Sequence, residues 1–206
     1  MTSGLTEALD RFRSPSPDTI RASVLTQWLN SWPDPLLAEE MMSNERVATR
    51  MFEKMCDDLG APSKVGTLSA ESEKVIGCLM TFDAPAFALR VGAAFHRATV
   101  LNWLTWNTLG QHVPALDIAD LRPLLSQVSA QLSQSAGAPA TAQQDLSAAQ
   151  IEEDGQSCIG AWITGQPPAI FGRLSLFCDV PQGPLNFGKA ALVQKVAEIM
   201  TAEEDG

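Results

Sequence analysis

Apolar residues recur at helical spacing through almost the whole chain, and this pattern predicts an all-α fold. The densest stretch, from Asp83 to Leu109, reads as one long helix, capped by Asp83 with Pro85 in its first turn and ended by Gly110 and Pro114. On a helical wheel Phe87, Val91, Ala94, Ala98, Leu101 and Thr105 share one face, while Leu89, Gly92, His96, Val100 and Trp103 lie roughly opposite. Such a helix is covered on two sides. The strip left over carries Arg90 and Arg97, about 20° apart around the axis.

Shorter elements follow the same rule. Pro17 and Asp18 open a helix to Trp32 with Ile20, Val24, Leu25, Trp28 and Leu29 on its apolar side, and a second runs from Asp34 and Pro35 to Asp58. That second helix has Leu36, Leu37, Met41, Val47, Met51, Phe52 and Met55 as apolar residues and a solvated face of Glu39, Glu40, Glu45, Glu53, Asp57 and Asp58. Ser69 starts a helix buried through Val75, Ile76, Leu79 and Met80, and Asp117 caps another to Gln134. Residues 136–145 form a flexible internal loop that overlaps the low-complexity run Ser135–Gln144. A helix around Ile151, Cys158, Ile159 and Trp162 ends at Gly165, and the last helix, Phe187–Met200, precedes an acidic tail at 201–206. Residues 173–180 alternate with period 2, so helix and a short strand-like segment both fit there.

With 206 residues, 45% of them hydrophobic and 18% charged, the chain suits one globular helical domain spanning 1–206. A net charge of −10 with 14 basic residues argues against nucleic acid, which needs clustered Lys and Arg. Arg90 and Arg97 argue against the long helix crossing a bilayer, and Met1–Arg13 lacks the order of a secretory signal, so a cytoplasmic protein is expected.

Chemistry is thinly written. Cys56, Cys78, Cys158 and Cys178 form no Cys-x-x-Cys pair and read as buried thiols, and His96 and His112 are too far apart for a helical zinc pair. No phosphate loop, dinucleotide fingerprint, nucleophile elbow or metalloprotease helix occurs, which leaves no expected cofactor or metal. The run Glu152-Glu153-Asp154 reads as charge preceding a helix, and His96 as a core histidine bonded to a backbone carbonyl. A cysteine nucleophile based on Cys78 or Cys158 would need His96 brought to it by the fold. Arg90 and Arg97 fit either an internal pairing with the acidic second helix or a strip offered to an acidic partner. Trp32 and Trp106 stand at helix ends, where an amphipathic ring suits a partner contact.

Two stretches resemble a known family. Arg90-Val-Gly92-Ala-Ala-Phe-His96, followed by Val100 and Leu101, resembles the Arg-x-Gly-x-x-x-His segment of the K component of bacterial type III secretion systems (SctK). Trp162, Pro167-Pro168, Arg173-Leu-Ser-Leu176 and Pro181 resemble that family's C-terminal order, while the N-terminal third lies outside the resemblance. The resemblance implies a non-enzymatic cytoplasmic adaptor at the injectisome base, monomeric when isolated. It would link the cytoplasmic domain of the inner-membrane ring protein to the pod protein, and through it to the stator and ATPase. Candidate protein-interaction residues are Arg90, His96, Arg97, Trp32, Trp106 and Arg173. A secretion chaperone or regulator, and a helical enzyme whose site is not readable from sequence, are the alternatives.

Overall fold

Side-chain caps set where most of the helices begin. The computed structural model describes residues 3–62, 65–82, 84–143 and 145–203, and among these every regular element is a helix. The order is α1 (Ser3–Arg13), α2 (Ala22–Asn30), α3 (Pro35–Ser43), α4 (Glu45–Asp58), α5 (Ala70–Thr81), α6 (Ala84–Phe95) and α7 (Arg97–Thr105). After them come α8 (Leu109–His112), α9 (Ile118–Gln127), α10 (Ala130–Ser135), α11 (Ala148–Thr164), α12 (Pro168–Ser175) and α13 (Phe187–Glu203). The side chains of Asp34, Ser69, Asp117, Ser129 and Ser147 each accept a backbone N–H in the first turn of the following helix.

Three helices that hydrophobic period joined are divided by polar residues. Asn44 ends α3 and caps α4, its Oδ1 accepting from Arg46 N, so the expected helix 34–58 is two. Ser129 caps α10 directly after Val128 ends α9, and His96, at φ −85° and ψ 33°, separates α6 from α7 within the expected helix 83–109. Residues 17–21 form a turn closed by Ser16 and Thr19, which delays α2 to Ala22. The expected cap Asp83 and the tail beyond 203 lie outside the described residues.

The main core is built around α11, which packs most extensively on α6 and then on α13. Leu9, Phe12, Ile76, Phe87, Val91, Ile151, Ile159, Trp162, Leu192 and Val196 are all buried there. Helix α1 supplies Leu5, Leu9 and Phe12 to this core, an amphipathic pattern at three- and four-residue spacing that the sequence reading passed over. A smaller core joins α2, α3 and α4 through Trp28, Leu29, Ala38, Met51, Phe52 and Met55. Within it Trp28 Nε1 donates to Asp58, which also accepts from Lys54, and these bonds hold the Asp58 carboxyl below its ordinary value. Leu36 and Leu37, counted among the apolar residues of the expected second helix, are 78% and 51% exposed.

The first part of the period-2 signal at 173–180 has a helical explanation, and the rest is turn and irregular chain. Arg173 to Ser175 end α12, and residues two apart on a helix point to nearly opposite sides. Leu174 therefore enters the main core and Leu176 the smaller one, with Phe177 touching both. The strand-like reading is thus corrected: alternation here marks a segment wedged between two cores.

Candidate functional site

Arg90 and Arg97 do face one way, and both are engaged by α9. Arg90 Nη2 lies 2.9 Å from Asp120 Oδ2 while Nη1 donates to Ala86 O, and Arg97 Nε donates to Leu125 O at 3.1 Å. The internal partner is therefore α9, and the expected pairing with the acidic second helix is not made. Arg90 also lies 5.5 Å above the Phe82 ring centroid.

Two residues on from Arg90, on the opposite side of α6, that helix meets α11 backbone to backbone. A Cβ on Gly92 would stand 1.9 Å from Ile151 O, and one on Gly155 the same 1.9 Å from Ala88 O. Only glycine permits this approach. It brings Asp154 to His96, whose Nε2 is 2.7 Å from Asp154 Oδ2 and whose ring is 4% exposed. Because a carboxylate only accepts, Nε2 carries the donated proton, and Nδ1 is left buried without a partner. His96 is thus bonded to a carboxylate and not to the expected carbonyl. Asp154 sits inside α11, so the acidic run does not precede that helix.

Arg173 is fully buried, which removes it from the interaction candidates. Its guanidinium donates to Phe12 O and Arg13 O at the C-terminal end of α1, and to Pro62 O beyond α4. A cation there satisfies carbonyls that the helix end leaves open. Beside it Gly172 meets the Gly60 carbonyl, where a Cβ would approach to 2.1 Å. Residues 172–176 are thus the joint between α1, the α4–α5 connection and both cores. His96 is likewise enclosed and unavailable to a partner in this conformation.

The tryptophans divide. Trp106 is 72% exposed, with its Nε1 donating to Asn102. Trp32 is half-buried and meets Trp28 edge to face at 5.3 Å. Phe187 at 80% and Leu185 at 51% add exposed apolar surface at the start of α13. Cys56, Cys78 and Cys158 are buried and Cys178 is partly so. Burial pushes Cys158 up to about 12 and Cys178 up to about 11, which keeps both as inert thiols at neutral pH. Among the described residues no three His, Cys, Asp or Glu side chains converge as a metal site, and no helix is long and apolar enough to cross a membrane.

A cleft of about 790 Å³ opens between the end of α1, the turn at Thr19–Arg21, the end of α5 with the start of α6, α11 and residues 177–181. Sequence reasoning missed it, because its walls come from five separated segments. Comparison with known proteins returns no matching family model, no similar curated protein and no similar solved structure.

Proposed function

We propose that this protein is a non-enzymatic cytoplasmic adaptor of a type III secretion injectisome, linking the inner-membrane ring protein to the pod protein of the sorting platform. The observation that carries this reading is the place of the two resembling segments in the fold. Arg90, Gly92 and His96 fix α6 against α9 and α11, while Arg173, Leu174 and Leu176 join the two cores. These are the joints of the scaffold, the positions a shared fold would require. The exposed Trp106, Phe187, Leu185 and Leu36 then supply apolar surface of the kind that partner contacts use.

Deletion of the gene, followed by complementation, tests the role. Effector secretion is expected to stop and to return with the intact chain. Secretion that continues at the parental level without the protein would refute it.

A further inference from the structure

We infer that the cleft at Arg11 and Arg21 is a docking site for an acidic, amphipathic segment of a partner protein. The inference builds on the adaptor reading, which supplies the partner. In a chain with net charge −10, the described residues lining this cleft include two arginines and a single carboxylate, Asp179. The Arg11 side chain forms no hydrogen bond or ion pair among the described residues, and its Nε is buried without a partner. Arg21 Nη1 is 2.6 Å from Asp179 Oδ1, but Asp179 is 92% exposed at its side chain, a pairing that an incoming carboxylate can replace at little cost.

The rest of the lining decides what kind of acid fits. Met80, Phe82, Phe177 and Val180, all partly exposed, give the cleft an apolar wall, with Thr81 and Gln156 as neutral hydrogen-bonding groups. A free inorganic anion would leave that wall bare. A segment alternating carboxylates with Leu or Phe would use both features, setting carboxylates on the two guanidiniums and apolar side chains on the wall.

The probe is a fluorescein-labelled hexapeptide alternating Glu with Leu and Phe, titrated into the full chain by anisotropy, beside the same peptide with Gln for Glu. The acidic peptide is expected to bind, to weaken as salt is raised, and to lose about tenfold in affinity with Arg11→Gln or Arg21→Gln. The salt series needs only the wild-type chain and so holds even if a variant folds poorly. Equal binding of the Gln peptide, full competition by inorganic phosphate at equal concentration, or no binding of the acidic peptide would each overturn the inference. Variants that lose the peptide and also the ring or pod protein support the cleft as the adaptor's contact. Variants that lose the peptide yet keep both proteins leave the cleft standing and place the adaptor's contacts elsewhere.

Discussion

Asp154 of α11 reaches across to His96 at the break between α6 and α7, with 2.7 Å between Oδ2 and Nε2. Since His96 Nδ1 already lacks a partner, removing Asp154 would leave a buried ring with neither nitrogen satisfied. Asp154→Ala is expected to cost about 1–3 kcal/mol by urea denaturation, and Asp154→Asn, which keeps an acceptor, less. Equal losses in the two variants would show that the hydrogen bond contributes nothing.

Gly92→Ala and Gly155→Ala test the closeness of α6 and α11. Each added methyl would meet a backbone carbonyl at 1.9 Å, so the helices must separate, and a loss of about 1–3 kcal/mol or more is expected. Gly110→Ala is the control, because a Cβ there meets nothing within 4 Å. Its melting temperature should not fall.

Arg173→Ala would strand the carbonyls of Phe12, Arg13 and Pro62 and open a void beside both cores. A loss of about 3 kcal/mol or more is expected, as for other broken buried networks. Limited proteolysis should then cut first around residues 14–21 and 60–62, on either side of α2–α4, releasing those helices. Uniform cutting across the chain would contradict the joint assigned to this residue.

Arg90→Glu with Arg97→Glu separates scaffold from surface. Both arginines hold α9, so the double variant is expected to melt lower by about 2–4 °C per kcal/mol lost. An unchanged melting temperature would return the strip to solvent or to a partner.

Burial of the thiols makes stability fall on the alkaline side. The folded chain keeps Cys158 protonated to about 12 and Cys178 to about 11, while the unfolded chain ionises them near 9.0. Their contribution is complete below pH 9.0 and is lost as pH rises towards about 12, at about 1.4 kcal/mol per pH unit for a fully buried thiol. Cys158→Ala should flatten the decline of the urea midpoint between pH 9 and 10.5. An identical slope in the variant would sink the assignment.

What the sequence shows of this fold is local. Caps at Asp34, Ser69 and Asp117 and the apolar stripes of α5, α11 and α13 are written in neighbouring residues, so the all-α class was legible. The breaks at Asn44, His96 and Ser129 were not, because apolar spacing continues across each of them. Arg173 read as a surface candidate because nothing near it in the chain shows the three carbonyls, two of them from α1, that enclose its guanidinium. The arginine cleft was hidden for the same reason.

Calorimetric titration of the purified chain with the cytoplasmic domain of the inner-membrane ring protein, and separately with the pod protein, bears most directly on the adaptor role. Both are expected to bind, and together to form a ternary complex. Trp106→Ala is expected to weaken at least one of them by about tenfold while the melting temperature stays put, as an exposed aromatic anchor would. Absence of heat with both proteins, from a chain that is folded by circular dichroism, would contradict the account.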